Sequence, residues 1–448
     1  MRAWSLTLWA ALLGAPAARA NPLDMYGFGA RSSALAGAVV ARADDASAVY
    51  YNPAGLGLAA GLQGELGYLS ASHFLRTDGR DNEVDPVRGL VGGLVSPGRL
   101  FGLPFAFGLA FHLPDDRLSR VRALPQGQPR WELYDVRLQR LFIGAAVAVA
   151  PVRWLRLGAG LAFMASTRGR IDISGRISVV NPASSELVHT VDADLTAVRY
   201  PHAGLQVDLG RGVSLGLAWR GEFKLDLTLD ATLAGRIVVG SLSDPDALVI
   251  PGLYALRSRT LTGFQPQQLV GGVAWTVSPA WRVSLDLQYT NWSAYENPTA
   301  ALDVRLDLRI PPGIMGLRQP TLPPAAPRLP TGFHDTLSAC VGVEHARALG
   351  RHRLSVRGGY RYDPTPVPDQ TAVTNFMDSD RHTFALGAGL ELARLGAAMP
   401  GRLSLDLAGA LQWLPPRAVE KTSPLDPVGD YVASGVVLAA NATLSLRF

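Results

Sequence analysis

The chain has 448 residues, of which 48% are hydrophobic and 18% are charged, and its formal net charge at pH 7 is +5. A charge this small over such a length does not indicate a nucleic-acid partner. The single cysteine, Cys340, excludes an intramolecular disulfide, and the eight histidines show no metal-ligand spacing. We therefore expect neither a metal site nor a cofactor.

The first twenty residues have the pattern of a secretory signal. A short positive start at 1–4 is followed by an apolar stretch at 5–13 and by a small-x-small cleavage site at 18–20. These residues contain two arginines and no acid, so their removal lowers the formal charge from +5 to +3. We therefore exclude residues 1–20 from the fold.

The next segment, residues 21–60, shows no strand pattern but contains two short motifs. The first is Asp44-Asp45-Ala46, and the second is Asn52-Pro53-Ala54-Gly55. An Asn side chain can close a turn, Pro fixes φ and Gly permits a positive φ, so the second motif predicts a rigid turn. By itself such a turn occurs in many loops.

From residue 61 to residue 448 the chain shows the two-residue alternation of β-strands. Gly and Pro turn signals recur along this length, and after the signal no stretch approaches the eighteen apolar residues that a spanning helix needs. The alternation predicts about fourteen strands, which begin near Leu62, Arg88, Leu103, Leu133, Arg153, Thr196, Val213, Gln268, Trp281, Asp335, His352, Arg381, Arg402 and Gly435.

Two strands show which side faces the membrane. Odd positions from Trp281 to Tyr289 are apolar or aromatic, whereas even positions from Arg282 to Thr290 are polar; the segment 213–230 alternates in the same way. A charged side chain on the lipid face costs roughly 2–4 kcal/mol at mid-membrane, so the charged faces must point inward. The sequence thus predicts an all-β transmembrane antiparallel barrel with a polar lumen, and Cys340 falls on the lumen side.

Five stretches depart from the alternation, at 73–87, 114–130, 230–262, 293–334 and 363–380. In outer-membrane barrels long connections lie on the extracellular side and tight turns on the periplasmic side. We therefore assign the five stretches to the exterior and the short turns at 278–280 and 349–351 to the periplasm. Renewed alternation from Leu302 to Ile310 predicts that part of one exterior stretch extends a strand above the membrane.

The last fifteen residues alternate strictly and end on Phe448. One face carries Leu438 and Leu444, and the other carries Asn441, Thr443 and Ser445. A membrane strand that ends the chain on an aromatic residue resembles the terminal signal by which bacterial outer-membrane barrels are recognised for insertion. This resemblance implies that the barrel assembly machinery is a partner and that Phe448 is the assembly signal.

The chain resembles the FadL/TodX family of outer-membrane transporters for long-chain fatty acids and other hydrophobic compounds. The likeness begins with Asp44-Asp45-Ala46 and Asn52-Pro53-Ala54 and continues in a strand that ends in Trp292-Ser293. It extends through the late-barrel segments 335–344, 357–360, 363–369 and 378–381. Residues 73–265 match the family only by strand periodicity.

The resemblance implies three segments: a signal peptide at 1–20, an amino-terminal hatch at 21–60 that plugs the lumen, and a transmembrane β-barrel at 61–448. It also implies passive, diffusion-driven uptake through the bacterial outer membrane, with an exterior groove, a lumenal pocket against the hatch and a kinked strand that opens towards the membrane lipid. The expected partners are fatty acids or hydrocarbons and outer-membrane lipid. No nucleotide motif is present to couple energy.

Two sets of residues are candidates for contact with a ligand. Leu23, Met25, Tyr26 and Phe28 would line a pocket against the hatch, or alternatively pack the hatch inside the wall. A buried carboxylate needs a partner, and the inward-facing candidates are Arg220, Arg282, Arg357 and Arg402. The alternative for each arginine is a structural charge network with an acid such as Asp286 or Asp406.

Two other functions remain open at this stage. A barrel of the same fold could act in outer-membrane assembly or secretion by holding a protein partner, which a blocked pocket would favour. An outer-membrane lipid hydrolase would need a serine–histidine pair, and no recognisable nucleophile motif is present. We therefore expect a transporter and no enzyme.

Overall fold

The structure is a computed structural model that describes residues 22–116, 127–135, 141–178, 186–239, 248–299, 301–309, 328–393 and 401–448. The predicted signal at 1–20 lies outside the described residues. Among the described residues, no helix has the length and apolar character that a membrane crossing requires.

The described strands form one sheet of eighteen members. They are β1 (Gln63–Thr77), β2 (Arg80–Asp81), β3 (Val87–Leu100), β4 (Leu103–Pro114), β5 (Phe142–Val152), β6 (Leu155–Ser178), β7 (Glu186–Gly210), β8 (Val213–Arg220), β9 (Phe223–Val239), β10 (Leu248–Gln265), β11 (Gln268–Ser278), β12 (Trp281–Thr290), β13 (Ala301–Leu308), β14 (Thr336–Leu349), β15 (His352–Asp363), β16 (Arg381–Ala393), β17 (Arg402–Val419) and β18 (Tyr431–Arg447).

Fourteen of these strands close into an antiparallel barrel, as the alternation predicted. The barrel closes where β1 pairs with β18, from Gln63 opposite Arg447 to Thr77 opposite Ala433. A closed barrel leaves no unpaired strand edge in the lipid. The remaining strands β2, β9, β10 and β13 are additions to the barrel: β10 pairs with both β9 and β13, and β2 pairs with β1.

The predicted sidedness is confirmed. On β12 the side chains of Leu285 and Leu287 are exposed, whereas those of Ser284 and Asp286 are buried. On β18 Leu438 faces outward, and Asn441, Thr443 and Ser445 are buried. The Phe448 N–H donates to the Leu62 carbonyl at 2.9 Å while its side chain is exposed. The role of Phe448 as an assembly signal stays a prediction.

Two strand predictions need correction, and a third is confirmed. The strand predicted near Leu133 begins at Phe142, because residues 130–134 are all buried and so cannot alternate between two faces; Glu132–Asp135 form helix α4 instead. The segment 213–230 is two strands, because β8 pairs with β7 and β11 in the barrel whereas β9 pairs with β10. The predicted strand above the membrane is confirmed as β13, Ala301–Leu308.

The segment before β1 is helical and lies against the inner wall. Its elements are α1 (Pro22–Tyr26), α2 (Ala30–Ala34), α3 (Ala48–Tyr51) and a 3₁₀ helix (Pro53–Leu58). Helix α2 contacts β15 to β18, and the 3₁₀ helix contacts β3 to β7. Most side chains from Leu23 to Leu56 are buried. We keep the name hatch for residues 21–60.

Candidate functional site: the lumen around the hatch

Asn52 fastens the hatch to the barrel wall. Its side-chain oxygen accepts a hydrogen bond from the Ala54 N–H at 3.1 Å, which closes the turn that the motif predicted. Its side-chain nitrogen donates to the carbonyls of Val40 at 2.7 Å and Leu205 on β7 at 3.1 Å. The wall approaches so closely that a Cβ on Gly204 would lie 1.9 Å from the Asn52 oxygen. Only a glycine in β7 therefore leaves room for this contact.

Gly55 has a different role from the one predicted. Its φ is not among the positive values of the chain. A Cβ at this position would lie 1.9 Å from the Ala43 carbonyl oxygen, so the residue permits a close backbone approach within the hatch. Pro53 occupies the first turn of the 3₁₀ helix, where its missing N–H costs no hydrogen bond.

Asp44 and Asp45 hold the hatch through Arg31. The Arg31 guanidinium pairs with Asp44, with Asp45 at 3.5 Å and with Glu344 of β14 at 3.4 Å. Asp45 also accepts a hydrogen bond from the Ser47 N–H at 3.0 Å. The predicted motif therefore lies in an ion-pair group that joins α2 to the wall. Sequence reasoning missed Arg31 because no local pattern distinguishes it from other arginines.

Two candidate arginines belong to this same group. Arg282 pairs with Glu344 at 3.2 Å, and Arg357 pairs with Glu344 at 2.7 Å and with Asp406 at 2.5 Å. Both line a cavity of about 120 Å³ near the periplasmic strand ends. Arg282 and Arg357 therefore belong to a structural charge network, which is the alternative that the sequence left open. Asp286 is not part of it, because its carboxylate accepts a hydrogen bond from the Val40 N–H at 2.8 Å.

Arg402 does not line the lumen around the hatch. It begins β17 at the periplasmic end, its side chain is 65% exposed, and it pairs with Glu391 at 2.9 Å. Arg402 lies on the same side of β17 as the buried Ser404 and Asp406, as the alternation predicted, but at the end of the strand it lines none of the three cavities described here. Its contact with a ligand stays a prediction.

Residues of helix α1 line two small cavities inside the barrel. Leu23, Met25 and Tyr26 line the first, which we call the hatch cavity and which measures about 40 Å³. Met25 also lines the second, the outer cavity of about 60 Å³. Phe28 lies apart from both and packs between Tyr50 and Phe142, with ring centroids 6.3 and 6.5 Å away. All four apolar candidates are buried in one core cluster, and Leu23, Met25 and Tyr26 line a cavity as well. Their contact with a ligand stays a prediction.

Arg220 lines the hatch cavity and faces α1. The residue is only 4% exposed, and its guanidinium lies 4.7 Å from the centroid of the Tyr50 ring. It donates to the Gln268 side-chain oxygen at 2.7 Å and to the Tyr50 carbonyl at 3.1 Å, and it lies 3.5 Å from the Asp24 carboxylate. This is the one predicted arginine that meets the hatch cavity.

Two further arginines, which sequence reasoning missed, face the outer cavity. Arg361 and Arg381 lie on either side of Asp363, at 2.7 and 2.8 Å from its carboxylate oxygens. The Asp- and Pro-rich composition of 363–380 indicated only an exterior loop and not this pairing. Burial raises the pKa of the neighbouring loop residue Asp378 to about 6, against the opposing effects of its hydrogen bond from Thr365 and the charge of Arg381.

Aromatic side chains from several segments of the chain form one cluster. Tyr295 lies 4.8 Å from both Phe264 and Phe333 by ring centroids, and Phe333 lies 5.5 Å from Phe376. The Arg130 guanidinium stacks 4.8 Å above the Phe376 ring. These residues come from β10, from the two connections that flank β13, and from the β4–β5 and β15–β16 connections, so no local pattern could predict that they meet.

Residues 136–445 match the family described as outer membrane protein transport protein (OMPP1/FadL/TodX). The chain belongs to the FadL/TodX family. Its barrel therefore lies in the bacterial outer membrane, and the protein is a transport protein for hydrophobic compounds and not an enzyme. The family match gives no support to the alternative of an assembly or secretion barrel. No curated protein shows a significant match to the chain.

Solved structures of FadL/TodX proteins share the fold over nearly the whole chain. A Pseudomonas aeruginosa FadL homologue is 13% identical with a TM-score of 0.58, covering 97% of this chain and 99% of its own. The P. putida toluene transporter TodX is 18% identical with a TM-score of 0.54, covering 94% and 99%. The monoaromatic hydrocarbon channel CymD is 16% identical with a TM-score of 0.54, covering 94% and 97%. At these identities the likeness shows the fold alone.

Proposed function

We propose that this barrel takes up long-chain fatty acids across the outer membrane by diffusion. The observation that carries the proposal is the mixed lining of the hatch cavity. Leu23, Met25 and Val270 supply apolar surface, Arg220 supplies a buried positive charge, and Arg361 supplies a partly buried one. An apolar chain that ends in a carboxylate matches both kinds of lining.

A neutral aromatic compound is the competing ligand, since two of the fold relatives are named for toluene and for monoaromatic hydrocarbons. An aromatic ring can stack on a guanidinium, but a neutral compound has no negative charge with which to form a charge-assisted hydrogen bond to it. The desolvation cost of Arg220 would then be met only by the protein's own acids. The buried cations therefore favour a ligand with a negative head group.

The cavities are too small for any such ligand in the present conformation. They measure about 40 and 60 Å³, whereas ligand pockets usually measure about 300–1,000 Å³. The two cavities share Asp24, Met25, Gln288 and Arg361 in their linings. Movement of α1 side chains such as Leu23 and Met25 would join the two cavities into one space, so uptake of a long-chain ligand requires these side chains to move.

The experiment compares binding of oleate and methyl oleate to the purified barrel at matched detergent concentration. A charge-assisted contact is worth roughly 1.5–3 kcal/mol, or about ten- to a hundredfold in affinity. We expect oleate to bind more tightly than its ester by a factor in this range, and Arg220→Ala to remove most of the difference. Arg402→Ala is the matched control, because that arginine lies at the exposed rim.

Equal affinities for the acid and the ester, unaffected by Arg220→Ala in a barrel that still folds, would contradict the proposal. Neutral hydrophobic compounds would then be the better substrate class. Correct folding is checked by the shift in gel mobility that heating causes in an intact β-barrel.

A further inference from the structure

We infer that Asp24 is an internal carboxylate that occupies the head-group site of the ligand, so that helix α1 competes with the substrate for the same donors. This inference rests on the proposed function, because it takes the ligand to be a carboxylic acid. It adds a regulatory element to that function: the closed state is held by the same chemistry that recognises the substrate.

The donors around Asp24 form a carboxylate cradle, which consists of Tyr50, Arg220, Gln265 and Gln268. One carboxylate oxygen accepts a hydrogen bond from the Tyr50 hydroxyl and lies 3.5 Å from the Arg220 guanidinium. The other accepts hydrogen bonds from the side-chain nitrogens of Gln265 at 2.9 Å and Gln268 at 3.2 Å. Both oxygens are thus held by two donors each.

The barrel wall supplies most of this cradle in a buried and ordered form. Arg220, Gln265 and Gln268 are 4%, 1% and 2% exposed. Arg220 is held in place by the Gln268 oxygen, so the guanidinium and one amide are already oriented towards the carboxylate. A site built in this way needs no rearrangement of the wall to accept a carboxylate from another molecule.

Asp24 is attached to the rest of the hatch through two glycines. Gly27 and Gly29 have φ values of +82° and +80°, and they flank the single residue Phe28 between α1 and α2. Glycine adopts this left-handed conformation without strain, so the joint places α1 at an angle to the fixed part of the hatch. Only six described residues, 22–27, precede Phe28 in the chain, and Asp24 is one of them.

The position of Asp24 connects head-group binding to the opening of space. Asp24 and Met25 line both the hatch cavity and the outer cavity. Replacement of Asp24 by a ligand carboxylate would release the polar end of α1 at the point where the two cavities adjoin. The apolar chain of the ligand could then fill the volume that Leu23 and Met25 occupy in the closed state.

A competitor within the chain lowers the apparent affinity of the ligand in proportion to the fraction of time that it fills the site. Removal of the Asp24 carboxylate should therefore tighten oleate binding. The expected factor is about tenfold, the lower end of the range for a charge-assisted contact. Methyl oleate has no carboxylate that competes for the cradle, so it can bind while Asp24 keeps its contacts there. Its affinity should therefore change by a much smaller factor.

The test measures oleate and methyl oleate affinities for the full-length barrel and for Asp24→Ala. Asp24→Asn is the second variant, because it removes the charge and keeps the shape if the alanine variant does not fold. Asp44→Ala is the matched control: it removes an acid of the hatch that pairs with Arg31 and lies outside the cradle. We expect tighter oleate binding in the Asp24 variants and no increase in the preference for the acid over the ester in Asp44→Ala.

Two outcomes would overturn the inference. An equal gain for acid and ester in the Asp24 variants would mean that α1 is only a steric obstacle, and unchanged or weaker oleate binding would mean that Asp24 is only a structural ion-pair partner. Either outcome leaves the proposed function in place if wild type still prefers oleate through Arg220. Loss of any acid preference in wild type would instead contradict the proposed function.

Discussion

Residues 30–58 and helix α1 both lie inside the barrel, but different kinds of contact hold them there. The first segment is held by close approach to glycines of the wall, as where the Asn52 side chain meets Gly204, and by ion pairs such as Arg31 with Glu344. Helix α1 is held chiefly by side-chain donors of the wall: the cradle on Asp24, Gln412 on the Met25 carbonyl at 2.5 Å and Asn441 on the Tyr26 carbonyl at 3.1 Å.

The difference indicates which part of the hatch moves. A fatty acid carboxylate has no N–H that could replace the Asn52 side chain as donor to the Leu205 carbonyl, so the release of residues 30–58 would leave buried polar groups without partners. A ligand carboxylate can replace Asp24 in its cradle with the same donors. We therefore expect the substrate to displace α1 from the cradle, while residues 30–58 stay bound to the barrel wall.

Deletion of the hatch should have the largest effect. Removal of residues 22–58 should raise the conductance of the barrel in planar bilayers and admit small polar solutes, because the lumen loses the segment that fills it. Removal of residues 22–27 alone should raise the conductance much less, since the contacts of Asn52 with β7 still hold the rest of the hatch in the lumen. Conductance of wild-type size in a correctly inserted barrel without residues 22–58 would show that the hatch does not obstruct the lumen.

Gly204→Ala should weaken the contact between residues 30–58 of the hatch and the barrel wall. The new Cβ would lie 1.9 Å from the Asn52 oxygen, and overpacking of a tight contact typically costs about 1–3 kcal/mol. Hydrogen exchange in residues 44–58 should increase accordingly. The matched control is Gly409→Ala on β17, where a Cβ meets no atom within 4 Å. Equal exchange in the two variants would show that the Asn52 contact does not hold the hatch.

Tyr26→Phe should have the smallest effect and should be confined to α1. The Tyr26 hydroxyl lies 2.6 Å from the His73 ring nitrogen, and the loss of one hydrogen bond costs about 0.5–1.5 kcal/mol. Exchange in residues 22–28 should rise by roughly two- to tenfold, while exchange in residues 44–58 stays unchanged. A rise in both segments would mean that the two parts of the hatch open together.

The sequence predicted the barrel well because lipid and lumen impose a strict alternation on every strand. That rule located β12 and β18 to within a few residues and placed Cys340 on the lumen side, where it is buried. It could not locate Arg361 and Arg381, because their meeting at Asp363 depends on the register of β15 and β16 across an exterior loop. Nor could it distinguish Arg220 from Arg402, since alternation gives the side of a strand but not the depth in the lumen.

The cradle on Asp24 was equally beyond the sequence. Gln265 and Gln268 lie on either side of the β10–β11 connection and are about 240 residues from Asp24. Only closure of the barrel around the hatch brings them together, and no spacing in the chain records that contact. The motif at Asn52 was easier to interpret because the turn it closes is local.

Hydrogen exchange of the wild-type barrel with and without ligand tests most directly whether α1 moves on ligand binding while the rest of the hatch stays fixed. Saturating oleate should increase exchange in residues 22–28 and leave residues 44–58 protected, and methyl oleate at the same occupancy should increase exchange in residues 22–28 much less. An equal response of residues 22–28 to both ligands, or a joint response of both segments to oleate, would contradict the account.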